Sequence, residues 1–180
     1  MRVVAFGASN HSASINARLA SLAGERFTSE FRADAQVELL DLNDFEMPIY
    51  SLDRERDTGI PELAQSLFAQ IGSADALIIS FAEYNGTYTS AWKNIHDWMS
   101  RIEMKIYQGK ATLALAATPG PRAGAGVLQA VTSAAPHFGM DLRASVGVGK
   151  WSEAYDATTS RLTRSEDVAA LDAGLAALSR

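Results

Sequence analysis

Ala76-Leu77-Ile78-Ile79-Ser80-Phe81-Ala82-Glu83-Tyr84-Asn85-Gly86 decides how the rest of this chain is read. The run from Ala76 to Ile79 has no polar face, which is the pattern of a strand covered on both sides. It leads into Asn85-Gly86, a pair suited to a sharp backbone turn. A parallel sheet covers its strands in this way, because its crossover connections lay helices over both faces.

The same alternation extends in both directions. Upstream, Val3-Val4-Ala5-Phe6 precedes Ile15, Leu19, Leu22, Ala23 and Phe27, spaced for one helix face. Val37-Glu38-Leu39-Leu40 reads as a second strand. A loop with Pro48, Ile49 and Tyr50 follows, and Gly59-Ile60-Pro61 opens a helix carrying Leu63, Leu67 and Ile71. Downstream, Thr89 to Arg101 is helical and Thr112-Leu113-Ala114-Leu115-Ala116 is another buried strand. Val127, Val131, Ala134 and Phe138 mark a helix, Asp141 to Val146 a fifth strand, and Val168, Leu171, Leu175 and Leu178 a last helix.

Five strands alternating with helices predict one α/β domain over residues 1–180, a doubly wound three-layer sandwich on a five-stranded parallel sheet. The flavodoxin-like strand order 2-1-3-4-5 is the expected one; in it, ligands sit beyond the carboxyl ends of the strands at the switch between strands one and three.

Composition narrows the function classes. The chain has 180 residues, 47% of them hydrophobic, enough for one sizeable core. A net charge of -5 and a pI of 5.2 argue against nucleic acid or anionic lipid as the main partner. With no cysteine, thiolate nucleophiles, disulfides and Cys-ligated metals are excluded. The apolar runs are shorter than a membrane span or a signal-peptide core, so a cytoplasmic protein is expected. His11, His96 and His137 are scattered without metal-ligand spacing. A Gly-x-Ser-x-Gly hydrolase elbow is missing.

Three loops follow strands one, three and four, and in the expected order those strands are neighbours. The first, Ser9-Asn10-His11-Ser12-Ala13-Ser14-Ile15-Asn16, has the composition of an anion cradle at a helix start; a plain helix cap fits it too. It lacks the Gly-x-Gly-x-x-Gly spacing of dinucleotide folds. The second, Glu83-Tyr84-Asn85-Gly86, offers an aromatic surface and a backbone that approaches a flat ligand closely; an ordinary strand-to-helix turn is its plain alternative. The third, Thr118-Pro119-Gly120-Pro121-Arg122-Ala123-Gly124, is rich in glycine, as a loop that approaches a ligand or a merely loose loop would be. Gly147-Val148-Gly149-Lys150 departs from a nucleotide motif at Ala144 and Trp151 and is read as a loop. Asp53-Arg54-Glu55-Arg56-Asp57 is a charge cluster whose default reading is a solvated face.

Taken in order, Phe6-Gly7-Ala8-Ser9-Asn10 with Ser14-Ile15-Asn16, Glu83-Tyr84-Asn85-Gly86 with Lys93-Asn94-Ile95-His96-Asp97-Trp98, and Thr118-Pro119-Gly120 with Arg122 and Gly124 resemble the signatures of the NADPH-dependent FMN reductase family. This family includes quinone, chromate and azo-dye reductases. The resemblance implies bound FMN, with NADPH or NADH as co-substrate and a quinone, azo compound, metal oxyanion or free flavin as acceptor. It implies that Ser9, Asn10, Ser14 and Asn16 hold the FMN phosphate with the Ile15 backbone. Glu83, Tyr84, Asn85 and Gly86 would line the isoalloxazine, and Thr118 and Gly120 would close its other side. No side chain is implied as a catalytic acid, base or nucleophile, and no metal. Asn10 stands where many members carry arginine, which removes a bidentate cation from the phosphate and points to weaker FMN retention. Ala8 replaces a usual glycine and Ala82 a usual proline.

A flavodoxin-type electron carrier and a ligand-binding module without redox chemistry are the alternatives. The Ser/Thr-x-Thr-Gly-x-Thr phosphate loop of the former is missing. Ala91, Ile95, Trp98 and Ile102 form an apolar stripe with Trp92 and Met99 beside it. That width predicts a second buried contact, and the resemblance implies a homodimer or a dimer of dimers.

Overall fold

The computed structural model describes residues Met1–Arg180. The sheet strands are β1 (Arg2–Ala8), β2 (Gln36–Leu40), β3 (Ala76–Phe81), β4 (Ala111–Ala117) and β5 (Asp141–Val148). The helices are α1 (Ile15–Arg26), α2 (Leu52–Thr58), α3 (Glu62–Ser73), α4 (Ser90–Met99), α5 (Ala125–Ala134), α6 (Trp151–Ala154) and α7 (Ser165–Leu178). A two-stranded hairpin, β6 (Tyr155–Asp156) and β7 (Arg161–Leu162), lies between α6 and α7. A π-helical turn at Phe27–Phe31 extends α1, and a 3₁₀ turn at Leu42–Phe45 follows β2.

The five main strands are all parallel and lie in the order β2-β1-β3-β4-β5, as the sequence predicts. Alternation along β1 divides the core in two. Val4 and Phe6 face α3, α4 and α5, packing with Leu67, Ile71, Trp92, Trp98 and Val127. Val3 and Ala5 face α1 and α7, packing with Leu19, Ala23, Leu171 and Leu175. These are the three layers.

Two expectations change at this stage. The broad apolar side of α4 is accommodated within a single chain: Trp92, Ile95, Trp98 and Met99 are all at most 3% exposed. Trp92 lies against Phe6 and Phe81 of the sheet, while Trp98 packs edge-on to Tyr50 of the segment after the 3₁₀ turn. The extra width of this helix therefore reflects a second intrachain partner. The strand predicted to end at Val146 continues to Val148, so Gly147-Val148 belongs to β5. The third loop crosses Gly147 so closely that a Cβ there would overlap the Ala123 carbonyl oxygen, and one at Gly149 would lie 2.9 Å from that of Gly120. These glycines make room for a neighbouring loop, and no phosphate is needed to explain them.

Candidate functional site

The three loops leave the carboxyl ends of β1, β3 and β4, which are adjacent in the sheet. In the first, Ser14 caps α1, its Oγ accepting from the Ala17 N–H at 3.2 Å, and Ser9 Oγ accepts from the His11 N–H at 3.3 Å. Both serines are buried, while Asn10, His11, Ser12 and Ala13 are exposed. The backbone N–H groups of Asn10, Ser12, Ala13, Ile15 and Asn16 have no acceptor within the chain. Free N–H groups at the start of a helix carry the positive end of its dipole, so this loop suits an anion.

The second loop is a tight hairpin. Tyr84 and Thr87 exchange backbone hydrogen bonds of 3.0 and 3.2 Å around Asn85 (φ 52°) and Gly86 (φ 82°). Two consecutive positive φ angles suit Asn-Gly, the pair found here. Tyr84, Asn85 and Gly86 are exposed, Glu83 is half-buried, and the N–H groups of Asn85 and Gly86 are free. The hairpin sits on the first turn of α5, where a Cβ at Gly126 would clash with Glu83 Oε1 and lie 2.5 Å from the Gly86 carbonyl oxygen. Behind it, burial pushes the Tyr88 phenol up to about 12, so this group stays protonated near neutrality.

The third loop is braced from below. Thr118 Oγ1 donates to the Gly120 carbonyl at 3.1 Å, and the N–H groups of Lys150 and Trp151 donate to Gly120 and Thr118 at 2.9 and 3.1 Å. No atom lies within 4 Å of the position a Cβ would take on Gly86 or Gly120, so both glycines face open space.

The loops are also joined directly. Asn16 reaches Ser80 of β3 and Ala117 of β4, and Thr89 Oγ1, which caps α4, donates to the Ala8 carbonyl at 3.0 Å. Thr89 and Ser80 have structural roles that the sequence does not assign, and a capping residue ahead of a helix is the only local signal for Thr89. Gly126, one of the glycines that allow close backbone approach around the third loop, lies under the second. No three His, Asp or Glu side chains converge to hold a metal, and no helix is long and apolar enough to cross a membrane.

The arrangement fits a flat ligand with an anionic tail: free N–H groups at one end, and two turns with open glycine faces at the other. The quinone reductase of Escherichia coli K12 is 32% identical over 80 residues, 44% of this chain and 43% of that protein. An NAD(P)H-dependent FMN reductase of Pseudomonas aeruginosa is 33% identical over 84 residues, 47% of this chain and 44% of that one. The matched stretch thus spans less than half the length of these curated relatives. Among solved structures, FerB, a flavoenzyme NAD(P)H:(acceptor) oxidoreductase from Paracoccus denitrificans, is similar with a TM-score of 0.77 at 23% identity, covering 99% of this chain and 94% of that one. An FMN-dependent NADH-azoreductase from Bacillus anthracis, in complex with FMN, has a TM-score of 0.65 at 13% identity, covering 99% and 97%. At these identities the likeness is one of fold. The sequence model of the NADPH-dependent FMN reductase family matches residues 1–153, a span that contains all three loops, and the chain belongs to that family.

Proposed function

We propose that this chain binds FMN across its three loops and uses NADPH or NADH to reduce a small acceptor such as a quinone, an azo compound, a metal oxyanion or a free flavin. The observation that carries the reading is the set of free N–H groups on Asn10, Ser12, Ala13, Ile15 and Asn16 at the start of α1. They would receive the phosphate together with the Ser9 and Ser14 hydroxyls. Tyr84, Asn85 and Gly86 would lie along the ring, with Thr118 and Gly120 on its other side and Glu83 beneath the turn. When bound, FMN would supply the hydride-transfer chemistry between a nicotinamide and the acceptor. The chain orients the ring and excludes water from one of its faces. The free N–H groups of Asn85 and Gly86 would donate to the ring edge, where preorganised donors stabilise negative charge at little reorganisation cost. Asn10 adds no cation at the phosphate.

The test is an anaerobic titration of the purified, FMN-incubated chain with NADPH and with NADH. Rapid bleaching of bound flavin by either is the expected result. A chain that stays colourless after incubation with FMN overturns the reading, and a bound flavin that bleaches only slowly makes the protein an electron carrier.

The proposal includes a cytoplasmic homodimer. Since α4 has no unused apolar face, the second copy would meet the segment after the 3₁₀ turn, where Ile49 and Leu52 are 75% and 72% exposed. Sedimentation showing a monomer at micromolar concentration removes this part.

A further inference from the structure

The flavin reading gives Asn16 to the phosphate, yet its side chain is only 3% exposed and points the other way, into the sheet. Its Oδ1 accepts from the Ala117 N–H at 2.8 Å and from Ser80 Oγ at 2.8 Å, and its Nδ2 donates to the Ala117 carbonyl at 3.0 Å. A primary amide offers two donor hydrogens and one oxygen with two lone pairs, so a single N–H remains.

The strand register explains the geometry. β3 and β4 pair from Ala76 and Ala111 up to Ser80 and Leu115, where β3 turns away toward the second loop. Ala117, two residues further along β4, has no β3 partner, although it still faces Val148 of β5. The Asn16 amide takes the vacant place beside β4 and exchanges a donor and an acceptor with Ala117, satisfying both backbone groups that lack a β3 partner. The positions it joins are the ones that launch the loops. Asn16 ends the first loop, Ser80 precedes Glu83 by three residues, and Ala117 immediately precedes Thr118.

Resting on the FMN reading above, we infer that the Asn16 side chain is a positioning group that fixes the three flavin loops relative to one another, and that it makes no bond to the phosphate. The backbone N–H of Asn16 is free to meet the anion, a role any residue except proline can fill.

Riboflavin, which has the ring but no phosphate, separates the two roles. FMN and riboflavin are titrated into the flavin-free full chain, its N16A variant and its S80A variant, at a temperature well below each thermal midpoint. Loss of loop positioning weakens both flavins by the same factor, about tenfold or more for N16A and about threefold for S80A. Ser80 lies beneath the loops and is remote from any phosphate role, so S80A carries the test if N16A does not fold. A loss confined to FMN, with riboflavin affinity unchanged, makes Asn16 a phosphate ligand and overturns the inference. Unchanged affinities with only a lowered thermal midpoint overturn it as well, leaving Asn16 a stabilising bond and nothing more. If the unsubstituted chain binds neither flavin, the FMN reading itself falls and takes this inference with it.

Discussion

The Trp98 indole N–H donates to the Pro48 carbonyl at 2.7 Å, joining positions 50 residues apart. Asn94 works on the same segment: its Oδ1 accepts from the Tyr50 N–H at 2.8 Å, and its Nδ2 donates to the Met47 and Pro48 carbonyls at 3.1 and 3.2 Å. Tyr50 donates its hydroxyl to Glu55, which also receives the Arg101 guanidinium. The 47–55 segment is therefore a strap latched to α4. W98F removes a buried donor and leaves the Pro48 carbonyl with the weaker Asn94 bond, a loss of about 1–3 kcal/mol. The expected outcome is a lower thermal midpoint and faster tryptic cleavage after Arg54 and Arg56, because cleavage follows the population of the opened segment. A tryptic pattern identical to that of the parent chain would refute the latch.

Gly126 supports the second loop through its missing side chain. G126A drives a Cβ into Glu83 Oε1 and the Gly86 carbonyl. The carboxylate can swing aside, but the backbone oxygen moves only with the whole hairpin, at a cost of about 1–3 kcal/mol. Flavin affinity should fall about tenfold while circular dichroism stays unchanged. Titration with FMN checks this outcome.

His96 gives the fold an acid sensitivity. It is 6% exposed and lies edge-on to Phe138, Tyr107 and Trp92. Burial pushes it down from 6.5 to about 4, with Asp97 acting to raise it and Lys93 to lower it further. Between those two values the unfolded chain binds a proton that the folded chain refuses, so stability is complete above 6.5 and declines as the pH falls toward 4. The loss attributable to this residue is at most about 3 kcal/mol. H96F should flatten the fall in thermal midpoint measured between about pH 7 and about pH 4.5. Parallel curves for the two proteins would show that other groups control the decline.

Asn10 is exposed at the first loop, with a free N–H and no positive charge. N10R supplies a guanidinium able to meet a phosphate with two parallel bonds, which should tighten FMN about tenfold and leave riboflavin unchanged. The gain should shrink as salt is added. An equal effect on both flavins would mean that the new side chain packs on the ring.

The buried strands are legible because each carries its own signal, whereas their order follows from the flavodoxin-like arrangement expected of such a fold. Ala76–Ile79 and Leu113–Ala116 are apolar without interruption, and the helix between them keeps its period. Local spacing says little about which partner a buried group will find. Trp98 reads as part of the apolar stripe and Trp92 as surplus width beside it, and their partners Tyr50 and Phe6 lie far off in the chain. The resemblance points to Asn16 at the phosphate, and nothing local announces its side-chain partners Ser80 and Ala117, which are 64 and 101 residues away. The partners of Thr89 and Gly126 are hidden for the same reason: a cap and a helical glycine look ordinary until the Ala8 carbonyl and the Gly86 turn are seen against them. Glu83, Tyr84, Asn85 and Gly86 were readable because a tight turn after a buried strand is a local event.

Where the Gly86 carbonyl rests on Gly126, the second loop is seated on main-chain atoms, while Asn10, His11, Tyr84 and Arg122 stand exposed on the three loops. A seat made of backbone answers to almost no substitution except one that fills it, and exposed side chains can be exchanged at little cost to the core. On the FMN reading, a library confined to His11 and Arg122 should therefore change which acceptors are reduced while the fold and the seat of the flavin persist.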